Sequence, residues 1–163
     1  MSKQDLSLLS LIDIRALRNE LQNHEDVVSF VRRMAQGRLD LARDEQRRRA
    51  DHTPVSTSVE KDIVGIFGQE HGGGSARPPR ETNISADHEL VRELERLSEE
   101  TGFGSLRTLD DESLNQVVES LSTFENKRST ERKHLFEEID AVTIELVRRY
   151  KDAGDNIDNL FKE

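Results

Sequence analysis

At 163 residues, with 33% hydrophobic and 4% aromatic side chains, the chain has too little apolar material for a broad globular core. Its net charge of −9 argues against a general nucleic-acid binder, which needs a basic surface to neutralise phosphates. The absence of cysteine excludes disulfides and thiolate metal sites, and charges interrupt every apolar run that could form a membrane span or signal sequence, so a cytoplasmic setting is expected.

Residues Leu11 to Arg49 predict one long helix, free of proline and with a single internal glycine, Gly37. Its apolar residues recur at Leu17, Leu21, Val28, Val31, Ala35 and Ala42, in steps of three, four and seven that define a narrow coiled-coil seam. Ser10, with Asp13 three residues on, is a variant capping box at its start. Residues 51–85 carry all three prolines and the run Gly72 to Gly74, the marks of a flexible linker. Inside that linker Val59, Ile63, Ile66 and Phe67 are spaced like one face of a short helix. A shorter amphipathic helix is expected over Ala86 to Glu100, with Leu90, Leu94 and Leu97 on one face and Gly102 as its stop. Three leucines cannot sustain a helix of this length alone, so that face docks on the long helices or on a partner. A second long helix follows from Leu109 to Tyr150, with Val117, Leu121, Phe124, Leu135, Val142 and Leu146 on its seam, and Thr108, Asp110 and Asp111 as cap and first-turn acids. The expected organisation is an N-terminal motif helix (1–50), a linker (51–85), a short helix and turn (86–107) and a C-terminal motif helix (108–163). The expected fold class is all-α, a long antiparallel two-helix coiled coil with a flexible linker and a short central helix.

Polar residues also form a pattern. Glu25, Ser29, Arg32, Gln36 and Asp40 share one helical stripe, a sector of roughly 80° that runs about 22 Å along the axis. A hundred residues on, Glu125, Ser129, Arg132 and Asp140 repeat it, with Phe136 in place of the glutamine. If the long helices pair with Arg32 opposite Arg132, facing residues have numbers that sum to 164, and this register also brings the helix ends together. Each stripe then flanks the apolar seam and borders a groove, where a ligand would meet both copies about a pseudo-twofold axis. Guanine O6 and N7 suit a bidentate arginine, and its N1 and N2 donors suit a carboxylate. Phosphate oxygens suit arginine and serine, while arginine planes and Phe136 can stack on bases. A symmetric ligand with two guanines and two phosphates, such as cyclic di-GMP, satisfies this set.

The spacing Glu-x3-Ser-x2-Arg-x3-Gln-x3-Asp at Glu25 to Asp40 resembles the cyclic di-GMP signature of the actinobacterial RsiG family of anti-sigma factors. The flanking residues Gln36-Gly37-Arg38-Leu39-Asp40, Leu109-Asp110-Asp111-Glu112, Ile139-Asp140 and Glu145-Leu146-Val147-Arg148-Arg149-Tyr150 are similar too. The resemblance covers both long helices but neither the linker nor the short helix. It implies an antiparallel coiled coil that binds an intercalated pair of cyclic di-GMP molecules and, when loaded, sequesters a WhiG-type sigma factor, holding back sporulation genes. By the same resemblance the protein is not an enzyme, acts as a monomer in a 1:1 complex with sigma, and needs neither DNA nor a membrane. The ligand-binding residues it implies are Glu25, Ser29, Arg32, Gln36, Asp40, Glu125, Ser129, Arg132 and Asp140, with Phe136 departing from the pattern.

Rival readings are a ligand-free coiled-coil adaptor, a homodimeric sensor with one motif per chain, and a helical nucleic-acid binder. Seven arginines against five acids between Glu25 and Ala50 make a locally basic helix, open to a small anion or to intrahelical ion pairs alone. His24, His52, His71, His88 and His134 lack metal-ligand spacing, so no metal is expected. Gly37 costs about 1 kcal/mol against alanine, which suits either the close approach of another group or simple tolerance. Candidate sigma contacts are Val59, Ile63, Ile66, Phe67, Leu90, Leu94 and Leu97.

Overall fold

The computed structural model of the protein describes residues 6–51 and 84–160, with side chains to Asp152. The linker residues 52–83 lie outside the described residues, and with them Val59, Ile63, Ile66 and Phe67. Among the described residues the elements are the α-helices α1 (Leu11–Ala50), α2 (Glu89–Glu100) and α3 (Asp111–Leu160), with a 3-10 turn at Phe103–Ser105. There are no strands among the described residues.

Local chemistry explains where the helices begin. Ser10 Oγ accepts from the Asp13 amide at 3.1 Å, and Asp13 Oδ2 accepts from the Ser10 amide at 3.3 Å, a reciprocal box that starts α1 where expected. Asp110 starts α3 by accepting from the Ser113 amide at 2.7 Å. Thr108 does not share that role, because its hydroxyl turns back to the Ser105 carbonyl at 3.0 Å. Helix α3 runs ten residues past the expected end at Tyr150. Helix α2 starts at Glu89 rather than Ala86, capped by His88 Nδ1, which accepts from the Leu90 amide at 3.2 Å.

The described residues pack as two compact units, one built from Met1–Ser29 with Ser129–Glu163 and the other from Phe30–Arg128. In each, a stretch of α1 packs antiparallel against a stretch of α3. The first unit buries Leu6, Ile14, Val28, Leu135, Val142 and Leu146. Arg15 there bonds Tyr150 at 2.8 Å, one residue from the partner position that the expected register gives. The second unit buries Val31, Ala35, Leu39, Ala42, Leu114, Val117, Leu121 and Phe124, and Gln46 bonds Asn115 at 2.6 Å, three residues from its expected partner. The seam of α3 has no apolar residue between Phe124 and Leu135; Arg128 fills it, 4% exposed, with its guanidinium 5.4 Å from the centre of the Phe124 ring.

Helix α2 belongs to the second unit and docks on both long helices. Its buried face is Val91, Leu94 and Ser98, while Leu90 and Leu97 are only half-buried, so the face is rotated from the expected leucine stripe. Arg38 of α1 donates to the Leu94 carbonyl at 3.3 Å and to Ser98 Oγ at 2.5 Å, and pairs with Glu95. From α3, Lys127 and Arg128 approach Glu93 at 3.4 and 3.9 Å. Leu94 is fully buried in this contact and is therefore removed from the candidate sigma contacts. Gly102 ends the helix in the left-handed region, at φ 73°, as the sequence predicts.

Each unit is closed by the same device. Glu45 accepts from Arg48 at 2.6 Å and Arg49 at 2.8 Å, and Arg49 reaches on to the Leu106 carbonyl at 2.9 Å and to Asp111 at 2.7 Å. Glu145 likewise accepts from Arg148 at 2.7 Å and Arg149 at 2.8 Å, and Arg149 reaches the carbonyls of Leu9 at 2.6 Å and Leu6 at 2.8 Å. In both clamps an arginine donates to carbonyls of the segment that leads into the facing helix. The hydrogen bonds from Arg48 and Arg49 hold the Glu45 carboxyl at about 2, and those from Arg148 and Arg149 hold Glu145 at about 2.

Three stability tests follow. Folded-state carboxyls held below their unfolded value stabilise the fold above pH 4.5, and that contribution is lost as pH falls from there toward 2. Thermal melting should therefore drop steeply between pH 5 and 3 in the natural sequence, and less steeply in Glu45→Gln plus Glu145→Gln. Gly102→Ala should destabilise by about 1–2 kcal/mol for the left-handed backbone, with its new Cβ only 3.3 Å from Leu109. Gly37→Ala meets nothing within 4 Å and should stabilise by about 1 kcal/mol.

Candidate ligand-binding site

Both motif copies lie on long helices, and within each unit residues of one copy meet residues of the other. In the first unit, Arg132 Nε donates to Glu25 Oε1 at 3.0 Å and to Ser29 Oγ at 2.7 Å, while the Ser29 hydroxyl itself donates to Glu25. In the second unit, Arg32 Nη1 donates to Glu125 Oε1 at 3.0 Å and Gln36 Nε2 to the same oxygen at 3.3 Å. The pair is the same in both, an arginine and a glutamate seven residues apart within each copy but drawn from opposite helices. Both glutamates are well shielded, with side chains 15% and 16% exposed.

The remaining motif residues differ between the units. Ser29 is buried, whereas Ser129 is exposed and takes no part in the arginine–glutamate contact. Phe136, 40% exposed, lies under the Arg132 guanidinium, 4.6 Å from its ring centre. Thus the ring that replaces glutamine orients the arginine by stacking where Gln36 contributes a hydrogen bond. Arg32 Nε is buried without a hydrogen-bond partner among the described residues, while Arg132 Nε has two acceptors. Asp40 is half-buried and Asp140 exposed, and neither makes an ion pair among the described residues.

A carboxylate beside a guanidinium offers an acceptor and a planar donor fork side by side. Guanine presents the complement, with N1 and N2 donors on one edge and O6 and N7 acceptors on the next. No group of three or more possible metal ligands occurs among the described residues. No helix there is long and apolar enough to cross a membrane.

The two Glu-x2-Arg-Arg clamps are also spaced by a hundred residues, at Glu45 to Arg49 and Glu145 to Arg149, as are the caps at Ser10 and Asp110. The repeat therefore extends beyond the polar stripe to the starts of both helices and to the two clamps. The signal was available in the sequence as the repeated Glu-x2-Arg-Arg spacing, but its role needed the carbonyls that Arg49 and Arg149 reach.

A pair of antiparallel helices lined by duplicated arginine–glutamate contacts is the class of structure that the fold and site define. The model of the RsiG-like family matches residues 1–62, the stretch that holds α1 and the first motif copy. The resemblance seen in the motif is thus borne out over that stretch, and the match supports an RsiG-type anti-sigma factor, a regulatory class rather than an enzymatic one. None of the curated proteins compared with the chain matches it.

The unequal serines give a direct test. Ser29→Ala removes a buried hydroxyl between Glu25 and Arg132 and should destabilise by about 1–2 kcal/mol in urea unfolding. Ser129→Ala should stay within about 0.5 kcal/mol of the natural sequence.

Proposed function

We propose that this protein is a cytoplasmic anti-sigma factor that binds cyclic di-GMP and, when loaded, sequesters a WhiG-type sigma factor, blocking transcription of sporulation genes. The ligand-binding residues are Glu25, Ser29, Arg32, Gln36 and Asp40 from the first copy, with Glu125, Ser129, Arg132, Phe136 and Asp140 from the second. The observation that carries this reading is the arginine–glutamate contact between opposite copies, present in each unit. Such a contact can be exchanged rather than merely broken: guanine acceptors take over the guanidinium while guanine donors take over the carboxylate, so no buried charge is left alone. Phosphate oxygens fall to the remaining arginine and serine donors. The ligand is taken up as an intercalated pair, and one chain binds one sigma factor with no direct contact to DNA.

Ligand and sigma factor are then linked, so sigma must tighten cyclic di-GMP binding by the same factor by which the ligand tightens sigma. The internal pairing of the motif also suits a ligand-free coiled-coil adaptor, in which the same contacts serve stability alone. Calorimetric titration separates the two. Cyclic di-GMP should bind the natural sequence in preference to GTP, ATP and cyclic di-AMP, and Arg32→Ala or Arg132→Ala should weaken it by roughly tenfold to a hundredfold. Adaptor function predicts no uptake of any of these nucleotides, with the two variants altering only the melting temperature.

A further inference from the structure

The polar stripe of α1 continues before Glu25. Arg18, seven residues and about 10 Å earlier, points within roughly 20° of the Glu25 direction. Its side chain is half-buried, and its Nε is fully shielded with no hydrogen-bond partner among the described residues. Helical neighbours at three and four residues are Ile14, Arg15, Leu21 and Gln22, so no carboxylate on α1 stands over it. Of the described carboxylates at this end of the unit, Asp13 is engaged by Ser10, Glu145 by Arg148 and Arg149, and Asp152 by Arg148. Arg15, one turn away, bonds the phenol oxygen of Tyr150 and stacks 5.4 Å from its ring centre, and makes no ion pair among the described residues.

Two neighbouring cations and a shielded N–H without an acceptor form an unfavourable arrangement. An anion on the stripe would balance both charges and, by drawing the half-buried Arg18 side chain toward it, offer its guanidinium the missing acceptor. We infer that Arg18 is a further ligand-binding residue of the first unit, donating to a phosphate oxygen of the nucleotide whose guanine engages Glu25, Ser29 and Arg132. The separation of about two turns suits this division, with the base at the motif and the phosphate nearer the start of α1. The counterpart of Arg18 a hundred residues on is Val118, which has no donor to offer. The site of the first unit therefore holds a phosphate contact that the site of the second lacks.

This assignment rests on the cyclic di-GMP reading, and one experiment keeps the two apart. Cyclic di-GMP is titrated by calorimetry into the full chain and into Arg18→Ala and Arg18→Lys, and all three are melted without nucleotide. Arg18→Ala should bind about tenfold more weakly or worse, Arg18→Lys should fall between it and the natural sequence, and melting should be unchanged or slightly raised in both. A residue that serves packing alone would give the reverse, a lower melting temperature with unchanged affinity, and that result overturns the assignment. If Arg18→Ala fails to fold, natural affinity in a folded Arg18→Lys together with natural affinity at raised salt overturns it as well. A natural sequence that takes up no cyclic di-GMP removes the functional reading and this assignment together, whereas normal uptake by Arg18→Ala removes the assignment alone.

Discussion

The arginine–glutamate contact made between opposite motif copies is the interaction on which the arrangement depends. Narrow apolar seams leave the flanks of both long helices lined with charge, and glutamate side chains only 15–16% exposed cannot rely on water alone. In each unit the charge is matched by an arginine of one copy bonding a glutamate of the other, which fixes the helices in register. Ion pairs of this kind add little net stability, because desolvation offsets most of the Coulomb gain. Their larger effect is on specificity: sliding either helix by a turn would leave a shielded glutamate with no partner.

Duplication explains why the same contact occurs twice, and substitution explains why the two versions are not equivalent. Positions Glu25, Ser29, Arg32, Asp40, Glu45, Arg48 and Arg49 all recur a hundred residues later, so both motif and clamp descend along one spacing. The glutamine-to-phenylalanine change exchanges a hydrogen bond to Glu125 for a ring beneath Arg132. Ser29 is buried between its partners while Ser129 is open to solvent. The two units thus present related but chemically unequal surfaces.

Much of this was legible in the sequence, for physical reasons. Seam positions could be read because one apolar face repeats every three or four residues, and all six expected on α3 are buried. The start of α1 could be read because a serine and an aspartate three residues apart have one favourable local arrangement. What could not be read were features set by contacts between distant segments. Helix α2 buries Val91 and Ser98 because Arg38 and Glu93 set its rotation, information absent from its own pattern. The pattern singles out Arg32 as a motif residue and gives no sign of Arg18. Only their surroundings show that each keeps a shielded Nε without an acceptor.

The most direct test is to watch the guanidinium groups themselves. Nitrogen-15 NMR resolves arginine Nε–H signals, and variants at Arg32 and Arg132 assign them. If these arginines exchange glutamate for guanine or phosphate, both signals shift on addition of cyclic di-GMP and stay in place with GTP. Signals that hold still while cyclic di-GMP binds, or that move equally with GTP, would contradict the account.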